Sequence, residues 1–303
     1  MFNLIILIIG FIMLIKGADI FVESASNIAK RFKVPSIIIG MTIVAMGTSA
    51  PELSVSITSS LAGFNDMSIA NVVGSNIFNL LMILGICSLF GKLKINNYKD
   101  VWYLLFVCIE LVVFSFDGQL SFGNGIILLI TFAEYIISMI KQAKDNPEKT
   151  SCKNQKTLFL TFIYGILGLV AIIWGGNLVV NSAQTIALQL GMSENLVGLT
   201  VVALGTSLPE FITSIIATRK GELDIAIGNI LGSNIFNILL ILGIASMLNP
   251  MAVSALALCD IIFMIVSVLV FILLTVKRKA LCKAPGLILI TLYVSYLITT
   301  IIR

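Results

Sequence analysis

Two closely similar polar stretches interrupt the apolar sequence of this chain, and each contains a proline and a glutamate. The first is AMGTSAPEL at 45–53, and the second is ALGTSLPEF at 203–211. Proline has no N–H, so the carbonyl four residues earlier loses its helical partner and the helix kinks. If the stretches lie in a membrane, the freed carbonyls must be satisfied within a cavity, and a bound cation would satisfy them. An ordinary packed kink is the alternative for one proline but is disfavoured for a matched pair.

Each stretch also places hydroxyl groups and one carboxylate on a single helical face, because these residues lie three or four positions apart. The residues are Thr48, Ser49, Glu52 and Ser56 in the first stretch and Thr206, Ser207, Glu210 and Ser214 in the second. A charged carboxylate at mid-membrane costs about 2.5–3.5 kcal/mol. Two glutamates that meet there would repel unless a cation lies between them. One such glutamate could be a protonated packing residue, whereas the pair favours cation binding.

A second polar motif follows each stretch, NVVGSNIFN at 71–79 and NILGSNIFN at 229–237. Its glycines, Gly74 and Gly232, predict close approach of neighbouring helices. Its amide and hydroxyl residues again recur at a spacing of four. They are Asn71, Ser75 and Asn79 in the first copy and Asn229, Ser233 and Asn237 in the second. Helix–helix contact remains an open alternative for the first asparagine of each copy, whereas ion contact is favoured for the last.

The combined donor set consists of carboxylate, carbonyl, hydroxyl and amide oxygens. Such donors select hard cations such as Ca²⁺ and Na⁺ and disfavour zinc, copper or iron. Two glutamates match the charge of one Ca²⁺, and they also suit several Na⁺ ions that share the same oxygens. The sequence therefore predicts a cation site, with no cofactor.

The composition indicates an integral membrane protein that lies in a lipid bilayer. Of 303 residues, 58% are hydrophobic and 11% are charged, and the mean hydropathy is +1.09; soluble domains are far less apolar. The net charge of +4 gives no indication of nucleic-acid binding. The absence of histidine removes most zinc chemistry. The five cysteines form no CxxC pair and predict no disulfide framework.

Hydrophobic runs predict an all-α protein with ten transmembrane helices. The predicted spans are 3–30, 35–61, 67–90, 99–116, 121–142, 157–189, 194–218, 224–248, 252–276 and 284–302. The first is interpreted as a retained span because it lacks a basic leader and a small-residue cleavage pattern. Of the 19 Lys and Arg residues, 17 fall in odd-numbered loops. The positive-inside rule therefore predicts cytoplasmic odd loops and extracytoplasmic termini.

The two halves of the chain are copies of one unit. Residues 40–85 and 198–243 align without gaps at an offset of 158, with 25 of 46 positions identical. Because each copy holds five spans, an odd number, the second must be inverted relative to the first. We predict a first inverted repeat at 1–142, a flexible cytoplasmic linker at 143–156 and a second repeat at 157–303. Inverted repeats are an architecture of secondary transporters, whose substrate site lies near mid-membrane.

Other intramembrane acids have no acidic counterpart in the opposite repeat, and we expect them to be structural or to line an access path. They are Asp19, Glu23, Glu110, Glu134 and Asp260. Lys16 is a predicted partner for Asp19 or Glu23.

The GTSAPE and GTSLPE pair, each followed by GSNIFN, resembles the two α-repeats of the sodium/calcium exchanger family, within the cation/calcium antiporter superfamily.

This resemblance covers the whole chain and implies antiport of several Na⁺ for one Ca²⁺ by alternating access. The first and sixth helices would slide across the other helices. The family's pattern implies that Glu52 and Glu210 are carboxylates shared by Ca²⁺ and Na⁺, while the Thr48 and Thr206 carbonyls bind Ca²⁺. Asn79 and Asn237 would flank this central site. Outer Na⁺ sites would use the Ala45 and Ala203 carbonyls with Ser49, Ser75, Ser207 and Ser233.

Some members of that family carry Asp where this chain has Asn79 or Asn237, and an acid there is associated with K⁺ co-transport. The two asparagines therefore put K⁺ dependence in doubt. The resemblance is to a short form of the family, without the cytosolic Ca²⁺-sensing domains of animal relatives, so regulation by such domains is not expected. We expect a multi-pass protein of a prokaryotic plasma membrane without an obligate protein partner.

Three other functions compete with Na⁺/Ca²⁺ antiport. A proton-coupled Ca²⁺ exchanger is the main alternative. It ranks second because related proton-coupled exchangers tend to have Asn before the glutamate, where this chain has Thr-Ser-x-Pro. An intramembrane enzyme is disfavoured because neither an Asp pair nor HExxH is present. A passive channel is disfavoured because a closed two-carboxylate site suits occlusion better than a pore.

Overall fold

Where the structure describes the chain, the fold is helical with four two-residue strands. The computed structural model describes residues 2–95, 97–147, 157–191 and 203–302. The α-helices in chain order are α1 Phe2–Phe32, α2 Ser36–Ile39, α3 Ala45–Thr48, α4 Ala50–Leu61, α5 Asn65–Ile77, α6 Leu84–Phe90, α7 Lys99–Ser115, α8 Phe122–Asp145, α9 Leu158–Gln189, α10 Ala203–Thr206, α11 Leu208–Arg219, α12 Leu223–Phe236, α13 Gly243–Leu248, α14 Ala255–Thr275 and α15 Lys283–Ile302.

Three π-helical segments lie within longer helical rods of the described residues. They are Gly40–Val44 between α2 and α3, Phe78–Ile83 between α5 and α6, and Asn237–Leu242 between α12 and α13. A π turn inserts a residue into the helical repeat and often marks a functional site, because it displaces the carbonyls around it. The sequence pattern did not predict these segments.

Seven of the described helices are long and apolar enough to cross a membrane, or eight if the bent pair Ser36–Thr48 and Ala50–Leu61 counts as one span. The predicted span 99–116 corresponds to α7, Lys99–Ser115, whose 17 residues make it too short to be included in that count. The predicted span 194–218 lies partly outside the described residues, as does the linker 143–156. The chain is thus a multi-pass helical membrane protein, and its predicted total of ten spans remains a prediction.

Two helical rods form the centre of the molecule. They are Met67–Phe90 and Leu223–Leu248. In the most apolar stretch of each rod, 78% and 83% of the residues, respectively, are buried. The corresponding share is 17–33% for the other five long helices, whose exposed Leu, Ile and Phe side chains suit contact with lipid. The second polar motif of each half, at 71–79 and 229–237, therefore lies on the most enclosed helices, where lipid does not reach it.

Two short antiparallel strand pairs connect loops that are distant in sequence. β1 (Leu93–Lys94) pairs with β4 (Ala280–Leu281), and β2 (Gln119–Leu120) pairs with β3 (Met251–Ala252). Each pair joins one loop from the first half of the chain to one from the second. The two halves are therefore also connected by backbone hydrogen bonds outside the helices.

Glycines allow α1 and α9 to pack with their backbones in contact. A Cβ atom built on Gly17 would lie 2.8 Å from the Gly168 carbonyl oxygen, and one on Gly175 would lie 2.8 Å from the Gly10 carbonyl oxygen. Small residues at such crossings let membrane helices approach closely. The two longest helices therefore form one tightly packed pair.

Gly232, in one of the central rods, allows a similarly close contact with a neighbouring backbone. A Cβ atom there would lie 2.5 Å from the Met41 carbonyl oxygen, so the predicted close approach is confirmed at this glycine. No described atom lies within 4 Å of the equivalent position on Gly74. The residue that corresponds to Met41 at the offset of 158 is Leu199, which lies outside the described residues, and the prediction for Gly74 is untested.

The α1–α9 contact predicts a stability difference between two neighbouring glycines. Gly168→Ala should lower the melting temperature of the detergent-purified protein, because its Cβ atom would lie 2.8 Å from the Phe21 backbone nitrogen. Overpacking of this kind costs about 1–3 kcal/mol. Gly165→Ala is the matched control on the same helix, since its Cβ atom would meet Ser24 at 3.5 Å, an ordinary contact. Equal melting temperatures for the two variants would contradict this account.

Candidate cation-binding site

Both proline motifs break their helices at a serine. Ser49 separates α3 from α4 with φ −81° and ψ 9°, and Ser207 separates α10 from α11 with φ −89° and ψ 4°. The bend at the first break is 48°. Each proline sits in the first turn of the helix that follows, where its missing N–H is tolerated. The kinks predicted from the sequence are confirmed in both motifs.

The breaks place both glutamates in the first turn of a new helix, in the interior of the protein. Glu52 and Glu210 are each 0% exposed. The free N–H groups of a helix N-terminus favour a carboxylate nearby, but they do not replace the hydration of a full charge. Within the described ranges, no lysine or arginine forms an ion pair with either glutamate. A bound cation would supply the counter-charge that the described residues do not.

Crossed hydrogen bonds bring the two motifs together. The Ser49 hydroxyl donates to Glu210 Oε1 at 2.8 Å, and the Ser207 hydroxyl donates to Glu52 Oε1 at 3.1 Å. Each serine at a break thus contacts the glutamate of the opposite motif. The two carboxylates therefore belong to a single site, as the sequence analysis expects of a matched pair.

The serines of the second motif join the same cluster. The Ser207 hydroxyl also lies 2.9 Å from the Ser75 hydroxyl, and Ser233 donates to Glu210 Oε1 at 3.5 Å. Ser75, Ser207 and Ser233 are all buried. The four predicted serines are therefore found together around the two carboxylates.

The first asparagine of each second motif holds helices together. Asn71 Nδ2 donates to Ser56 Oγ at 3.1 Å, and its Oδ1 accepts from Thr206 Oγ1 at 3.3 Å. Asn229 makes the equivalent contacts, with Ser214 Oγ at 3.0 Å and Thr48 Oγ1 at 3.0 Å. Both ends of each amide are engaged in protein contacts, which favours the helix-contact alternative for this pair.

The predicted carbonyl ligands lie on the helical turns before the breaks. The Thr48 hydroxyl contacts Asn229 and the Thr206 hydroxyl contacts Asn71, and each threonine is the last residue of its helix, α3 or α10. The Ala45 carbonyl accepts the Ser49 N–H at 3.0 Å and lies 3.3 Å from the Thr48 hydroxyl. Ala203 begins α10, the equivalent helix in the second motif.

Four asparagines form a second crossed network beside the glutamates. Asn76 Nδ2 donates to the Asn234 backbone oxygen at 3.0 Å, and Asn234 Nδ2 donates to the Asn76 backbone oxygen at 3.2 Å. Asn79 Nδ2 donates to Asn234 Oδ1 at 3.1 Å, and Asn237 Nδ2 donates to Asn76 Oδ1 at 3.0 Å. The sequence analysis missed Asn76 and Asn234, although their identity in both copies of GSNIFN was an available signal.

Four buried oxygens of this cluster have no hydrogen-bond partner. They are Glu52 Oε2, Glu210 Oε2, Asn79 Oδ1 and Asn237 Oδ1. A buried acceptor without a partner is unfavourable unless a cation or water satisfies it. Ca²⁺ takes six to eight oxygen ligands, and carboxylates combined with amide and backbone oxygens are its usual donors. The described residues contain no cluster of three or more His, Cys, Asp or Glu, so the donor set is mixed.

The remaining intramembrane acids lie apart from this cluster. Asp19 pairs with Lys220 at 2.9 Å, with Glu23 3.7 Å from the same ammonium, so the cation beside them is Lys220 where the sequence suggested Lys16. Glu110 accepts a hydrogen bond from Thr131 at 3.0 Å. Asp260 lines a groove beside α15, and Glu134 is exposed on α8.

Comparisons with known proteins agree with these features. The family model described as sodium/calcium exchanger protein matches residues 2–141 and 160–302. The putative antiporter CaxA of Alkalimonas amylolytica is 35% identical over 307 residues, covering 96% of both chains. The sodium/calcium exchanger MaX1 of Methanosarcina acetivorans is 32% identical over 346 residues, covering 98% of this chain and 97% of that protein.

Solved structures of the sodium-calcium exchanger NCX_Mj resemble the whole fold. The form soaked with 2.5 mM Na⁺ and 1 mM Sr²⁺ has a TM-score of 0.88 at 29% identity, and 97% of each chain is covered. The paired motifs, the multi-pass helical fold and the match along nearly the full length lead to one conclusion. The chain belongs to the sodium/calcium exchanger protein family.

Proposed function

We propose that this protein is a secondary antiporter that exchanges several Na⁺ ions for one Ca²⁺ across the membrane by alternating access. The observation that supports this most strongly is the pair of buried glutamates, which have bare Oε2 atoms and no basic partner among the described residues. Two carboxylates can be neutralised by one Ca²⁺ or by Na⁺ ions. The site can therefore hold either substrate, one kind at a time.

Ca²⁺ would bind at the centre, between Glu52 and Glu210. Asn79 and Asn237 would flank this central ion with their unpaired amide oxygens. The Thr48 and Thr206 backbone carbonyls would complete the oxygen shell. This donor set has the charge and chemistry that Ca²⁺ prefers. It contains no sulfur or imidazole, which would favour transition metals.

Na⁺ would use the same glutamates together with hydroxyl and carbonyl oxygens further out. The proposed ligands are Ser49, Ser75, Ser207 and Ser233 with the Ala45 and Ala203 carbonyls. Because the serine hydroxyls already contact Glu52 and Glu210, an Na⁺ ion bound among them would compete electrostatically with Ca²⁺ at the centre. Competition for shared carboxylates is what couples the two ion movements.

The architecture proposed for this exchange is ten spans in two inverted units, 1–142 and 157–303, joined by a cytoplasmic linker at 143–156. Structural features recur at the sequence offset of 158, including the helix breaks at Ser49 and Ser207. The hydrogen bonds between Asn76 and Asn234 are reciprocal. With the distribution of basic residues, this supports extracytoplasmic termini and a place in the plasma membrane.

Alternating access would come from movement of the α1–α9 pair along the remaining helices. A separate hydrophobic cluster forms between α1, α9 and their neighbours, distinct from the larger cluster around the central rods. Tight glycine packing makes the pair a rigid body. Its sliding would expose the central site to one side of the membrane at a time.

A proton-coupled Ca²⁺ exchanger is the second candidate. Glu52 and Glu210 could release protons when Ca²⁺ binds, since the same bare oxygens accept either. The serine contacts to both glutamates favour the Na⁺-coupled function, because they provide extra oxygens that Na⁺ uses and a proton does not need.

Transport assays separate these functions. In proteoliposomes loaded with Na⁺ and diluted into Na⁺-free buffer, we expect ⁴⁵Ca²⁺ uptake that vanishes in Glu52→Gln and Glu210→Gln. Glu134→Gln, a change at an exposed intramembrane acid, is the control that should keep activity. Uptake that ignores Na⁺ and follows a proton gradient would transfer the protein to the proton-coupled class. No uptake under either gradient would refute both.

The serine ligands give a prediction about Na⁺ alone. Ser207→Ala removes the hydroxyl that donates to Glu52, so the Na⁺ concentration for half-maximal exchange should rise about tenfold. Ser60→Ala is the matched control, since this buried serine donates to the Ala245 carbonyl outside the site. An unchanged Na⁺ dependence in Ser207→Ala would contradict a role for this hydroxyl in Na⁺ binding.

A further inference from the structure

Two asparagine side chains are fixed in orientation by backbone carbonyls. Asn76 Nδ2 donates to the Asn234 backbone oxygen, and Asn234 Nδ2 donates to the Asn76 backbone oxygen. A backbone carbonyl can only accept a hydrogen bond, so the NH₂ group of each side chain must face it. A flipped amide would oppose oxygen to oxygen. The side-chain oxygen of each residue therefore points away from the carbonyl, in one defined direction.

These fixed oxygens in turn orient the asparagines of the cation site. Asn234 Oδ1 accepts from Asn79 Nδ2 at 3.1 Å, and Asn76 Oδ1 accepts from Asn237 Nδ2 at 3.0 Å. Because an oxygen cannot donate, the NH₂ groups of Asn79 and Asn237 must face it. Their Oδ1 atoms are then left bare. Asn76, Asn79, Asn234 and Asn237 are 0–1% exposed, so bulk water cannot substitute for these partners.

We propose that Asn76 and Asn234 are positioning residues that present the amide oxygens of Asn79 and Asn237, rather than their NH₂ groups, to the transported cation. The inference rests on the proposed function and adds to it two residues that do not themselves contact the ion. A free amide can turn either end toward a site, and the NH₂ end would repel a cation. The two positioning residues remove that choice.

The network is crossed between the two halves of the chain. Asn234, in the second half, orients Asn79 in the first, whereas Asn76 orients Asn237. The Asn234 backbone oxygen that holds Asn76 is retained whatever side chain residue 234 carries. A change of the Asn234 side chain should therefore release Asn79 and leave Asn237 in place.

A double-mutant cycle on the full-length, purified protein tests this crossed arrangement of hydrogen bonds. Ca²⁺ binding is measured by isothermal titration calorimetry. Asn234→Leu should weaken Ca²⁺ binding about tenfold or more, as changes to partners of metal ligands commonly do. In an Asn79→Ala background, where the ligand amide is absent, Asn234→Leu should have little further effect. In an Asn237→Ala background its effect should persist in full, because that amide is oriented by Asn76.

A general packing role for Asn234 predicts a different pattern, since its loss would then weaken binding equally in both backgrounds. Equal effects, in protein whose wild type binds Ca²⁺, would overturn the positioning role and leave the proposed function intact. Absence of Ca²⁺ binding by the wild type would overturn both. If Asn234→Leu is not monodisperse in size-exclusion chromatography, Asn234→Ser replaces it in the same cycle, with the same expected pattern.

Discussion

Two carboxylates buried inside a membrane protein, with no basic partner in the described part of the chain, are the constraint on which the rest of the structure depends. Neither Glu52 nor Glu210 has any exposed surface, and the hydroxyls around them supply hydrogen bonds but no counter-charge. Burying uncompensated charge is strongly unfavourable, and mutual repulsion adds to that cost. A bound cation relieves both terms. On the proposed function, stability and ion occupancy would be linked, and a Ca²⁺ ion would leave only when other cations replace it.

The irregular backbone serves this constraint. The helix breaks at Ser49 and Ser207 place each glutamate in the first turn of a new helix, within reach of the serine of the opposite motif. The π segments Phe78–Ile83 and Asn237–Leu242 lie where Asn79 and Asn237 meet the opposite half of the chain. Such departures from regular helix are tolerated at membrane depth only inside protein. The two π segments lie within the most buried rods, and Ser49 and Ser207 are themselves fully buried.

The sequence predicted those features that local chemistry determines. A proline four residues after a glycine and directly before a glutamate predicts the kink at Ser49, and a polar spacing of four places Ser75 and Asn79 on one face. Contacts between distant segments were less accessible. The pairing of Lys220 with Asp19 arises because the loop after α11 reaches α1, which no local pattern reveals. The roles of Asn76 and Asn234 likewise depend on how two rods cross, although both residues recur in each repeat.

The location of a bound divalent cation would test the central claim most directly. Crystals soaked with Ca²⁺ can be measured at a long X-ray wavelength, where calcium scatters anomalously. The account predicts one strong peak bonded to Oε2 of both Glu52 and Glu210, at the roughly 2.3–2.6 Å typical of calcium–oxygen bonds. It also predicts that the peak is displaced when Na⁺ is raised. A peak elsewhere, or one bonded to a single glutamate, would contradict a shared two-carboxylate site.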